Sequence, residues 1–403
     1  MKSRVLAVVP ALLVLTCCGA PPAPVAATTT QPTSTALETS PAQTSPAGQA
    51  GGGSVSPSPV APPSPRATPP PQPVGPYYGV LVDLLTAPST YAANVVGLDG
   101  SLWAAIKLNK RTPISNQQGH AVVLPYVSTS KTALYMLAGD TDVLSLRLPD
   151  GKQTAVTRLA VGANMEAAFA VSPDDSQIAV SVLDFNRTPV HVTLYTESLT
   201  GANHRVIFES DSNYVWPVAW HAGFLVFAHA YGPYEEDIAK AAPGRDNPYS
   251  AISYHIIDPT SANRIYLLGA CTVSGVLSPA GSGCIQGGTI DWTGNVSPPW
   301  STSDWGSVSS AASLSPDGLW VAATIPDSPD KMGIWAPDGR IVNYVYSAGI
   351  RDWAGWLDDQ HVLAGSYLVP TFQPVVTNPI KGGIEHPVGA YGFYAARLPT
   401  DIV

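Results

Sequence analysis

Ala168-Phe169-Ala170-Val171-Ser172-Pro173-Asp174-Asp175-Ser176-Gln177-Ile178-Ala179-Val180 recurs in kind as Ala311-Ala312-Ser313-Leu314-Ser315-Pro316-Asp317-Gly318-Leu319-Trp320-Val321-Ala322-Ala323. Each copy runs from a short apolar strand through a Ser-Pro-Asp turn into a second apolar strand, the pattern of an antiparallel hairpin. The turn residues have separate tasks. Proline presets φ at an early turn position, aspartate accepts a hydrogen bond from an amide two residues on, and Gly318 supplies a left-handed conformation. In the first copy Asp175 stands in the glycine position, a weaker solution to the same geometry.

Weaker copies flank these two. Residues 216–227 and 353–363 keep the strand-turn-strand rhythm, and residues 95–105 keep it around Leu98-Asp99-Gly100 without the proline. A second hairpin follows within a repeat: residues 143–151 lead into 154–159, and residues 333–340 lead into 341–346. Two hairpins per repeat make four antiparallel strands, the content of a propeller blade. Turn anchors recur at intervals of roughly 45 residues, with one gap of about two repeats, so a diverged blade is expected around Cys271 and Cys284. Counting outward predicts an all-β, six- or seven-bladed β-propeller over 77–403. Strand-like segments at 77–85 and 391–398 are expected to share a blade, which closes the ring and removes exposed edges.

On these turns the chain resembles the β-propeller repeats of the TolB-like and WD40-like families. The resemblance rests on Ser172-Pro173-Asp174-Asp175 and Ser315-Pro316-Asp317-Gly318, and the weaker hairpins extend it across most of 92–370. It implies four-stranded antiparallel blades and says little about activity, because the motif marks only where a strand turns. Propellers of this kind serve as binding platforms, as enzyme companions and occasionally as enzymes.

Charged residues form 12% of the 403, against about 25% in an ordinary globular domain. The net charge is −9, and Lys2, Arg4 and Arg66 against Glu38 leave about −11 from Tyr77 onward. A surface so poor in cations excludes nucleic acid as the natural partner and argues against docking of the folded part on anionic lipid.

The N-terminus reads as an export signal, with Lys2 and Arg4 before an apolar run from Val5 to Leu15 that is too short to span a bilayer. Leu15-Thr16-Cys17-Cys18-Gly19 resembles a bacterial lipobox, which implies a lipoprotein whose cysteine thiol carries the lipid. Leu15 points to Cys18, and Val14 would point to Cys17 instead. Residues 19–76 hold no Phe, Tyr, Trp or Ile and are dominated by Pro, Ala, Thr, Ser and Gly. Such a segment cannot bury enough apolar area to offset its ordering entropy, and its prolines extend it, so a disordered tether is expected. The domain organisation is therefore 1–18 signal and lipobox, 19–76 tether, and 77–403 propeller, at the extracytoplasmic face of the cell membrane.

Cys271 and Cys284 are the cysteines left in the folded part, and an oxidising compartment favours a disulfide between them. With no histidine between them they are a poor zinc signal. The motifs of nucleophilic hydrolysis, phosphate loops, zinc helices and calcium loops are absent, and no cofactor is implied. The best local candidate is the charged and aromatic insertion beginning at His229. There Tyr231, Tyr234 and Tyr249 are placed to stack on a sugar or peptide, and Glu235, Glu236 and Asp237 to meet a cation or basic group. His221 and His361 are read as structural hydrogen-bonding residues, and Trp216, Trp220, Trp353 and Trp356 as packing between blades. The expected function is a non-catalytic binding or scaffolding module that engages an envelope protein, peptide or glycan, with membrane contact through the anchor alone. An extracytoplasmic hydrolase or lyase acting on carbohydrate or cell-wall material is the alternative, and an accessory or sensor subunit a third reading.

Overall fold

The computed structural model describes residues 77–84, 86–112, 125–148, 150–230, 253–268, 273–284, 288–296, 312–325, 328–336, 341–346, 353–365, 373–382 and 385–400. They form seven antiparallel sheets, each built from strands consecutive in sequence except the first. Blade 1 joins Phe393–Leu398 to Tyr78–Asp83, Thr90–Val96 and Leu102–Asn109. Blade 2 spans Val127–Thr129 through Gln153–Arg158, blade 3 Met165–Val171 through Arg205–Ser210, and blade 4 Tyr214–His221 through Arg264–Leu268. Blade 5 runs from Val273–Ser278 to Thr289–Ile290 with three described strands. Blades 6 and 7 run from Ala312–Leu314 to Ile341–Tyr346 and from Trp353–Trp356 to His386–Pro387. The chain is thus a seven-bladed β-propeller, and the diverged blade lies in the region of Cys271 and Cys284 as its spacing predicts.

The two termini of the domain close the ring. Tyr78 pairs with Leu398 and Val82 with Phe393, so the C-terminal strand becomes the innermost strand of blade 1. Among the described residues the core is divided into layers between neighbouring sheets, as in other face-to-face sheet packings. Trp216, Tyr254, Leu277 and Ile290 are buried between blades 4 and 5, and Tyr135, Phe169 and Ile178 between blades 2 and 3. Tyr394, Leu357, Leu363 and Leu81 seal blade 7 against blade 1.

The Ser-Pro-Asp turns build the inner hairpins of blades 3 and 6 by identical bonding. Ser172 Oγ donates to Asp174 Oδ1 (2.7 Å) and accepts from the Gln177 amide (2.9 Å). Ser315 Oγ donates to Asp317 Oδ1 (2.6 Å) and accepts from the Trp320 amide (2.9 Å). The third-position amides close onto Ser172 and Ser315 carbonyls, at 3.0 and 2.9 Å. Asp175 and Gly318 hold the same left-handed backbone, φ 61° and 74°. Residues 95–105, by contrast, form the outer hairpin of blade 1, so that copy matches the turn and not its place in the blade. In the innermost strand of blade 4, Pro217 sits beside a bulge at Pro217/Ala219, the kind of place where a strand tolerates its missing amide.

Candidate functional site

Three places on the ring are candidates for recognition: the central axis, the connecting loops and the seams between blades. At the axis the innermost strands line a small cavity. Val127, Val171, Val218, Leu277 and Ala395 from the first strands of five blades surround a cavity of about 50 Å3. A liquid water occupies about 30 Å3, so this space takes one or two solvent molecules. Arg397 lines it and is itself buried.

The walls around the axis are fastened blade to blade by side chains bonded to backbone. Trp220 Nε1 of blade 4 donates to the Ala170 carbonyl of blade 3 (3.2 Å), and Trp356 Nε1 of blade 7 donates to the Ser313 carbonyl of blade 6 (2.8 Å). Ala170 and Ser313 are equivalent positions of the repeated hairpin, so the two bonds are one device used twice. The Tyr394 hydroxyl continues the chain to the Trp356 carbonyl (3.0 Å), and Ser181 Oγ bonds the Val215 carbonyl (2.7 Å). Trp216, Trp220 and Trp356 therefore pack between blades, as expected of them.

His361 is also structural: its Nδ1 lies 2.9 Å from both carboxylate oxygens of Asp358. His221 departs from expectation. Its Nδ1 is buried without a hydrogen-bond partner, and its ring stacks flat on Trp292 at 4.0 Å and 5°, held by π contact instead. Trp292 is fixed in turn by donating Nε1–H to the Pro279 carbonyl (2.8 Å). The histidines belong to blades 4 and 7 and do not form a pair.

Tyr231, Tyr234, Glu235, Glu236, Asp237 and Tyr249 lie outside the described residues, as do Cys18 and Cys271. The structure does fix the stem of that insertion. Phe224–Ala230 leads into it and Ser253–Ile257 returns from it, the two strands pairing Phe227 with His255 and His229 with Ser253.

Beside this stem, between blades 3 and 4, lies a pocket of about 410 Å3. Phe227 and His255 form one wall with their rings stacked at 4.9 Å, and Phe208 faces Phe227 at 6.1 Å. His229 meets His255 edge-on at 5.7 Å. Burial, the neighbouring His229 and the charge of Arg264 pull His255 down to about 4, and burial lowers His229 as well. Both imidazoles are thereby neutral near pH 7. Of these residues only His229 stood out in the sequence. His255, Phe208 and Arg264 carry no motif, and their meeting depends on strand register and on the seam between two sheets.

No protein-family model matches the chain, and no curated protein does. Among solved structures it is similar to a chain of the mitotic checkpoint complex, at 13% identity over 72% of this chain and 90% of that one, with a TM-score of 0.44. It is similar to Saccharomyces cerevisiae Sqt1, at 10% identity over 76% and 84%, with a TM-score of 0.38. The C-terminal WD40 domain of Sif2 matches at 12% identity over 66% and 73%, with a TM-score of 0.39. The strand order by itself makes the chain a seven-bladed β-propeller of largely four-stranded antiparallel blades.

Proposed function

We propose that the protein is a lipid-anchored binding or scaffolding module at the extracytoplasmic face of the cell membrane. It engages an envelope protein, peptide or glycan through the loops of one propeller face, above all the insertion carrying Tyr231, Tyr234, Glu235, Glu236, Asp237 and Tyr249. The observation that supports this reading is the bracing of the ring, whose neighbouring blades are fastened to one another by Trp220 on the Ala170 carbonyl and Trp356 on the Ser313 carbonyl. Rigid walls lower the ordering cost of binding at the surface of such a ring. Cys18 carries the lipid, Cys271 and Cys284 form a disulfide in the oxidising exterior, and residues 19–76 act as the spacer. Among the described residues no helix is long and apolar enough to cross a membrane. In this reading the propeller reaches the membrane only through its anchor.

Fractionation of cells expressing the full chain tests the anchor. Cys18→Ser is expected to leave the membrane fraction; retention of that variant together with release of Cys17→Ser would move the lipid to Cys17. Binding is tested by pull-down from envelope extract. Combined alanine replacement of Glu235, Glu236 and Asp237 is expected to reduce partner recovery severalfold, and unchanged recovery would remove the insertion from the interface.

A further inference from the structure

The pocket between blades 3 and 4 has the size and lining of a small-molecule site. At about 410 Å3 it falls in the usual range for ligand pockets of roughly 300–1,000 Å3, and it is about eight times the space on the axis. Its walls are apolar: Ile207 and Phe208 from the outer strand of blade 3, and Val215, Phe227 and Ile257 from blade 4. A bulge in the Arg205–Ser210 strand brings the consecutive residues Ile207 and Phe208 to the same pocket, which a regular strand would point to opposite faces.

The polar groups are few and their bonding capacity is unused. Arg264 lines the pocket opposite Ile257 and, among the described residues, enters no ion pair. His229 makes no hydrogen bond among them, and His255 makes one, from Nε2 to Ser253 Oγ at 3.2 Å. In a chain with 20 basic residues against 29 acidic ones, a guanidinium left unneutralised beside aromatic walls is a notable placement.

We propose that this pocket binds a small organic anion with an apolar body, its ring or chain against Phe208, Phe227, Val215 and Ile257 and its carboxylate at the Arg264 guanidinium. A planar fork of donors suits a carboxylate, and the apolar walls beside it suit the body of the ligand. The neutral imidazoles of His229 and His255 offer further hydrogen bonds without adding charge, so affinity for the anion rests on one cation. This site goes beyond the binding-module reading, and its described lining lies in blades 3 and 4.

Calorimetric titration of the full-length protein with 3-phenylpropionate and with its methyl ester tests the assignment. The acid is expected to bind at least tenfold more tightly than the ester, with shifts confined to the His229 and His255 ring resonances among the histidines. Arg264→Gln, on an exposed side chain, should abolish the difference while leaving the melting temperature unchanged. Ile207→Trp should fill the pocket and remove both ligands. Equal affinities for acid and ester in the unaltered protein, an acid affinity indifferent to Arg264→Gln, or no binding of the acid at millimolar concentration would each overturn the proposal.

Discussion

Asp175 shows how a single side chain serves two masters. It holds a left-handed backbone, φ 61°, where its counterpart is Gly318, and in return its carboxylate accepts from Thr132 Oγ1 (2.5 Å) and the Tyr135 hydroxyl (2.8 Å) of blade 2. Asp175→Gly relieves the backbone and loses both bonds, each worth more than a neutral pair because the acceptor is charged. A net loss of about 1 kcal/mol in denaturant melts is expected, although glycine is the commoner turn residue. Ser172 and Ser315 are buried and each satisfies a backbone amide. Their alanine variants leave that amide unpaired and should cost about 1–3 kcal/mol apiece. His255 makes stability depend on pH. Its folded value, about 4, lies below the ordinary imidazole value of 6.5, so the unfolded chain binds the extra proton first and stability falls as pH drops from about 6.5 toward 4. His255→Asn should flatten that part of the melting-temperature profile, and an unchanged slope would refute the assignment.

At the scale of strands, the joint between blades 7 and 1 bears the closure. Gly355, in the innermost strand of blade 7, lies beneath the Tyr394 ring of the closing strand, where any added Cβ would overlap ring atoms. The same tyrosine donates its hydroxyl to the Trp356 carbonyl, so displacing the ring breaks a bond as well as a contact. Gly355→Ala should therefore destabilise the domain by about 1–3 kcal/mol through overpacking, read from the urea midpoint at constant m. The hairpins themselves were legible in advance, since turn chemistry and alternation are local. The order of strands within a blade followed from the same locality. What escaped was which hairpin is inner and which outer, as residues 95–105 illustrate: the Asp-Gly turn is the same in both places.

For the whole molecule, the pairing of Tyr78–Asp83 with Phe393–Leu398 makes stability a property of the closed ring. Deleting residues 19–76 is expected to shift the melting temperature by less than about 2 °C if their Pro-, Ala-, Thr- and Ser-rich composition leaves them unpacked, and a larger shift would overturn the tether reading. Removing residues 393–403 should abolish cooperative unfolding, because it strips the innermost strand from blade 1 and exposes an edge. The sequence by itself determined the repeat, the turn and the four-strand unit, because each depends on residues close in the chain or on a period. It also marked the change of composition at about residue 77, ahead of the first described strand. Only the tertiary structure decided that seven blades close the ring, that Trp220 and Trp356 reach equivalent carbonyls of the preceding blade, and that His229, His255 and Arg264 share a seam with Phe208. Those contacts join residues on different strands and blades, and their distances are set by strand register and sheet packing, quantities that no local pattern encodes.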